Sequence, residues 1–132
     1  FFTAVPINGT DGRQFLPHMT RDSKVTIWNP DRMRPQEFSV VDNAEHYGIS
    51  CYRLRLSPWN MYPNPVYYNK FFGMGNLTVK GSPMFISKWY WLDTQPLEYW
   101  SSLVNGVQPS NPKYDTYLDV EPTTGISMLL IR

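Results

Sequence analysis

The chain has a single cysteine, Cys51, among 132 residues. No internal disulfide can form, so burial and hydrogen bonding alone must hold the fold. Taken by itself, that scarcity points to a reducing compartment. A dominant charge sign is missing too: 12 basic and 11 acidic residues leave a net charge of +1. That balance gives no electrostatic footprint for nucleic acid or for an acidic membrane face. No apolar run reaches the ~20 residues of a spanning helix. No signal peptide opens the sequence, which starts at Phe1. Histidines are scarce as well. His18 and His46 lie in separate loop-like contexts, and no His-Glu-x-x-His, paired cysteine or carboxylate cluster accompanies them. Both read as surface residues, and neither a metal nor a cofactor is expected.

Proline and aromatic residues are abundant instead. The 12 prolines are close to twice the usual ~5% share. Proline blocks helix interiors and central strands, which favours short strands with irregular connections. Aromatics comprise 9 Tyr, 7 Phe and 5 Trp. The length suits one modest domain.

Period-2 alternation marks most of the chain. Lys24 to Trp28 reads as a short strand ended by Asn29-Pro30, followed by a basic, Pro-closed link from Asp31 to Pro35. Phe38 to Val41 is a second strand. Gly48 opens the clearest one, Ile49 to Leu56. There Ser50, Tyr52, Leu54 and Leu56 share one face, while Cys51, Arg53 and Arg55 share the other. Ser57 to Gly75 reads as a long aromatic loop, and Asn76 to Val79 and Pro83 to Trp91 as further strands. Phe1 to Pro6 could finish a strand begun upstream. One helix is expected. Asp93 or Thr94 caps it, Pro96 sits in its first turn, Leu97, Trp100, Ser101 and Val104 form one face, and Asn105-Gly106 ends it. Thr116 to Val120 alternates again, Pro122 and Gly125 bracket a turn, and Ile126 to Ile131 is apolar. The fold class expected is mainly β: an antiparallel sheet or part of a β-barrel, with one short helix and long loops.

Few residues carry chemistry. Asp119 and Glu121 share a strand face ~7 Å apart by strand rise, a spacing that could suit a glycosidase pair. A solvated or salt-bridged face, with Arg53 or Arg55 across the sheet, is the better reading. Catalytic residues are therefore not assigned. Cys51 reads as a small buried hydrophobe, and Gly73-Met74-Gly75 as a loop that lacks the rest of any phosphate-binding fingerprint. Asn8-Gly9-Thr10 and Asn76-Leu77-Thr78 fit the glycosylation pattern, which argues against a reducing compartment.

Several blocks fall in one order: Ile7 to Gly12, Gly48-Ile49 with Tyr52-Arg53 and Leu56, Gly81 to Ser87, Asn105 to Pro109, and the hairpin Thr116 to Gly125. Together they resemble the class B scavenger receptor family, and the resemblance runs from about Ile7 to the end. Animal members carry disulfide-forming cysteines across this region. Here Met33 stands where one is expected, the loop from Ser57 to Gly75 lacks the others, and Cys51 replaces an apolar strand residue. This looks like a divergent, disulfide-free branch.

The resemblance implies a middle slice of a receptor ectodomain, with the membrane helices, the apical helical bundle and much of the barrel outside it. Its implied function is non-catalytic: binding lipids or lipoprotein-like particles and conducting apolar molecules through an internal tunnel. Tyr52, Leu54, Leu56, Phe85, Trp89 and Trp91 are candidates for core or tunnel wall. The alternative is a protein-recognition receptor for lysosomal enzyme sorting or adhesion. The parent would be membrane-anchored through segments outside this chain, facing the extracellular space or the lysosomal lumen. The chain is expected to pair with the remainder of its precursor or with another copy, because a slice of a barrel leaves edges and apolar faces uncovered.

Overall fold

A computed structural model describes residues 6–65, 71–77, 83–95, 102–106 and 115–131. The chain divides into two compact units: Ala4–Ser57 with Thr116–Arg132, and Phe1–Thr3 with Pro58–Asp115. The expected mainly β fold with antiparallel pairing is what the structure shows.

The first unit is a five-stranded antiparallel sheet. Its strands are β1 (Lys24–Asn29), β2 (Arg34–His46), β3 (Ile49–Leu56), β6 (Tyr117–Val120) and β7 (Ser127–Ile131), in the order β1-β2-β3-β6-β7. Alternation decides the faces. Leu54 pairs with Val40 and with Leu118, and Leu56 pairs with Phe38. These residues, with Val25, Ile27 and Val120, form one continuous core. The bounds of β3 are those its alternation predicts. β2 is longer than expected because Arg34 and Gln36 are buried beside Phe38 and extend the paired run backwards. The expected link from Asp31 to Pro35 thus shrinks to a turn that ends before Arg34.

β2 contains a bulge. Val40 pairs with Leu54 and Asp42 with Arg53, which leaves Val41 as the extra residue. One inserted residue reverses the faces of everything after it. Asp42, Ala44 and His46 therefore lie on the side of Arg53 and Cys51, opposite to Phe38 and Val40.

The segment before β1 covers the core and touches both ends of the strand order. Thr10 bonds the backbone of Thr26 and Trp28 in β1. Further on, the Phe15 amide donates to the Gly125 carbonyl, and the Met19 amide to that of Pro122. Phe15 and Met19 are thereby pressed into the core. Gly125 is needed for this approach. It sits at φ +76°, and a Cβ there would lie 2.4 Å from the Phe15 carbonyl oxygen. Phe1 to Val5, part of the strand expected at the start, lies outside the described residues.

The second unit contains a 3-10 turn at Pro58–Met61 and a small sheet of β4 (Met74–Asn76) and β5 (Phe85–Ser87). Met61, Met74 and Leu77 are its buried apolar residues among those described. Gly73-Met74-Gly75 is not wholly loop, since Met74 opens β4. The strand expected from Pro83 to Trp91 is limited to Phe85–Ser87, and Trp89–Trp91 is a 3-10 turn. Lys88 explains the break. Its buried ammonium meets Asp93 and Asp115 at 2.7 Å each. Residues five apart on an extended strand lie ~16 Å apart, so Lys88 and Asp93 can meet only if the chain folds back. The expected helix falls mostly outside the described residues. Ser102 and Leu103 are helical.

Candidate functional site

Four arrangements have functional potential. The first is a polar cluster on the sheet face opposite the core. Asp119 is fully buried. Arg53 donates to it through Nε at 2.8 Å and Nη2 at 2.7 Å, and His46 Nε2 lies 2.8 Å from Oδ2. Burial pushes the Asp119 carboxyl upward, but hydrogen bonds from Arg53 and His46 and their charges outweigh it, so its pKa is lowered. Arg53 also sits 4.2 Å from the Tyr117 ring centroid, a cation–π contact. The salt bridge to Arg53 matches expectation. The position of Asp119 does not: β6 alternation suggests an outer, solvated face, yet the carboxylate is buried.

His46 is likewise not a plain surface residue. The bulge at Val41 turns it onto the polar face, where Asp119 receives it. Alternation along β2 could not show this, because the sequence carries no sign of the bulge. Cys51 is buried beside this cluster, and its thiol pKa is raised by burial and then by Asp119 and Glu121. Glu121 does not join Asp119. It turns to the hairpin loop, where the backbone N–H groups of Thr123 and Thr124 donate to it at 2.8 and 2.7 Å. Both carboxylates are thus occupied by internal partners.

The second arrangement is an ion cluster in which the buried pair Lys88 and Asp115 is joined by Asp93 at the surface. It fixes the base of the aromatic turn Trp89–Trp91. Tyr90, Trp91 and Asp93 there adopt positive φ (53°, 54° and 63°), a conformation disfavoured for bulky side chains.

The third is the aromatic surface of the second unit. Trp59, Tyr62, Phe71, Phe72, Met84, Phe85, Trp89 and Tyr90 are each exposed, from 42% at Tyr90 to 59% at Trp89. Tyr62 packs edge-on against Phe72 at 5.3 Å, and Phe71 against Phe85 at 6.1 Å. The fourth is a cleft of about 390 Å³ in the sheet unit, lined by residues that include Phe15, Leu16, Met19, Val25, His18 and Lys24.

The six wall candidates separate into two groups. Leu54 and Leu56 are buried in the sheet core, and Tyr52 is half-buried against it. Phe85 and Trp89 are exposed and Trp91 half-buried in the other unit. Asn8 is exposed on the segment before β1, and Asn76 is half-buried at the end of β4. Among the described residues no helix is long and apolar enough to cross a membrane. No group of three or more His, Cys, Asp or Glu side chains gathers there as a metal site.

Comparison with known proteins sets these arrangements in context. The family model described as the CD36 family matches residues 3–130. Scavenger receptor class B member 1 of Cricetulus griseus is 30% identical over 132 residues, which covers 92% of this chain and 25% of that protein. Lysosome membrane protein 2 of Homo sapiens is 26% identical over 131 residues, covering 91% of this chain and 27% of the relative. Lysosome membrane protein 2-C of Dictyostelium discoideum is 30% identical over 103 residues, covering 76% and 13%. The chain therefore spans about a quarter of the length of the first two of these relatives. With nearly its whole length matched by the family model and by a relative 30% identical, the chain belongs to the CD36 family of class B scavenger receptors.

Proposed function

We propose that this chain is a segment of the ectodomain of a membrane-anchored receptor that binds lipids or lipoprotein-like particles. In this reading the complete receptor also passes apolar molecules through an internal conduit, and no catalytic step is involved. The exposed aromatic surface of the second unit carries the proposal. Contiguous exposed apolar groups mark interaction sites, and here the exposed rings of Tyr62 and Phe72 and those of Phe71 and Phe85 are in contact. Covering the exposed half of one such ring removes ~100 Å² from water, worth ~2.5 kcal/mol. A few rings engaged together would account for micromolar binding of an apolar particle.

The sheet unit has a different part in this proposal. Its candidates Leu54 and Leu56 are enclosed by the chain's own side chains, so they act as the packed wall behind any conduit. Tyr52 is the member of that set best able to face a ligand. The rings of Phe85, Trp89 and Trp91 supply the apolar contact. Asn8 and Asn76 are the proposed glycan sites of a lumenal or extracellular face. The relatives named as lysosome membrane proteins and a scavenger receptor support such a location. The remainder of the precursor is proposed to complete the domain.

Quenching by brominated acyl chains tests the proposal. The full-length receptor is mixed with vesicles of brominated phosphatidylcholine, and tryptophan emission is followed. Quenching is expected, and Trp89→Ser with Phe85→Ser should reduce it at least threefold. Unchanged emission on mixing, with the receptor folded, would contradict the reading.

A further inference from the structure

Lys88 closes a loop with its own side chain. Its ammonium reaches forward to Asp93 at 2.7 Å, so Trp89 to Leu92 lie between two ends that are tied together. The ammonium is enclosed, and the equally enclosed Asp115 carboxylate holds it at 2.7 Å. A cation removed from water is costly unless anions replace its solvation. Asp115 meets that need from inside. Asp93 is the outer end of the tie, with 51% of its side chain in solvent. A surface loop is thus fixed from within the unit.

The loop so closed is strained. Tyr90, Trp91 and Asp93 have φ of 53°, 54° and 63°, a region that suits glycine and asparagine. Short hydrogen bonds keep the chain there. The Leu92 amide donates to the Trp89 carbonyl at 3.1 Å. The Thr94 amide and hydroxyl both donate to the Trp91 carbonyl, at 3.0 and 2.6 Å. The returning chain is seated against Gly73, where a Cβ would lie 2.3 Å from the Asp93 carbonyl oxygen. Beyond it the Gln95 amide donates to the carbonyl of Phe72, itself an exposed ring. The loop holds Trp89 and Tyr90 at the surface, 59% and 42% exposed. Strained backbone that presents large rings to solvent is the arrangement of a pre-formed contact surface.

We infer that Lys88 is a positioning residue for the ligand of the aromatic surface. By gripping Asp93 it keeps Trp89 and Tyr90 in one arrangement before the ligand arrives, so binding does not have to order them. Lys88 acts through these rings and not by contact, because its ammonium is enclosed. This inference rests on the binding role proposed above for the aromatic surface.

The test titrates the full-length receptor with vesicles of brominated phosphatidylcholine and follows tryptophan emission. These vesicles carry no net charge, so losing one carboxylate alters no long-range attraction. Asp93→Asn opens the tie but leaves the Lys88–Asp115 pair, and asparagine suits a positive φ. The melting temperature should therefore hardly move. The midpoint of quenching should shift to at least about fivefold more lipid, while its limiting extent, set by rings that still reach the lipid, should stay the same. Hydrogen exchange at the Leu92 and Thr94 amides should quicken at least roughly tenfold. Lys88→Met combined with Asp115→Asn removes both buried charges together and leaves neither unpaired. It should show the same shift in a receptor that still folds. Either variant, folded and with an unmoved midpoint, overturns the inference and leaves lipid binding by the aromatic surface standing. An unchanged rate of exchange overturns it as well. A wild-type receptor that shows no quenching contradicts the binding role itself, and the inference with it.

Discussion

Arg53 and Asp119 stand opposite each other on β3 and β6 and meet through two parallel hydrogen bonds of 2.8 and 2.7 Å. The planar guanidinium fits the carboxylate fork, the strongest geometry open to this pair of residue types. His46 closes the remaining side. Asp119 is buried only because these partners replace water around it. Removing the charge should therefore cost stability. Asp119→Ala is expected to destabilise the ectodomain by ~2–3 kcal/mol, below the ~3–5 of a fully buried pair because the Arg53 side chain is 36% exposed. Urea denaturation of wild type and variant measures it, and a change within ~0.5 kcal/mol would contradict a structural role.

Leu54 distinguishes packed core from open wall. Its side chain is fully buried among Val40, Leu118 and their neighbours. Leu54→Ala should cost ~2–5 kcal/mol, the range for a large-to-small change at a packed site. A loss below ~1 kcal/mol would mean that the site borders space a ligand can fill.

Gly125 governs the approach of the segment at Phe15. Any side chain there meets the Phe15 carbonyl and a disfavoured φ together. Gly125→Ala should cost ~2–4 kcal/mol, seen as a lower melting temperature. Phe15 should also become accessible to solvent, and hydrogen exchange at its amide should quicken, since that amide donates to Gly125.

Acid should weaken the β6–β7 hairpin. The Thr124 hydroxyl first, then the backbone N–H groups of Thr123 and Thr124, pull the Glu121 carboxyl down to about 2 from an ordinary value of 4.5. A folded value below the unfolded one means that the ionised form binds the fold better. Its contribution is complete above pH ~4.5 and is lost as pH falls towards ~2. Asp119 is lowered as well and acts with the same sign. Glu121→Gln should therefore flatten the decline of stability over this window. An identical acid profile for the variant would refute the assignment.

Some of this was legible in the sequence because it rests on local pattern. The alternation from Ile49 to Leu56 is enough to bound β3, and the charges of Arg53 and Arg55 opposite Asp119 suggest a salt-bridged face without deciding between the two arginines, which the β3–β6 register settles for Arg53. The family blocks were legible for the same reason: short runs of turn and strand chemistry in a set order. What was hidden depends on three-dimensional closure. The bulge at Val41 leaves no mark in composition, yet it moves His46 to the face of Asp119 and so buries a carboxylate that alternation places in water. Trp89 to Trp91 also misled. Large apolar residues on both faces look like a buried strand, but Lys88 bends the chain to reach Asp93. Trp89 and Tyr90 are exposed there, and Trp91 is half-buried.

The receptor to which this segment belongs is proposed to hold apolar ligands. The most direct test is native mass spectrometry of the full-length receptor, released gently from detergent, followed by lipid extraction. The account predicts acyl or sterol lipid recovered in at least equimolar amount, and less of it from the variant carrying Phe85→Ser and Trp89→Ser. A folded, lipid-free receptor that instead captures a defined protein partner through the same aromatic surface would contradict it.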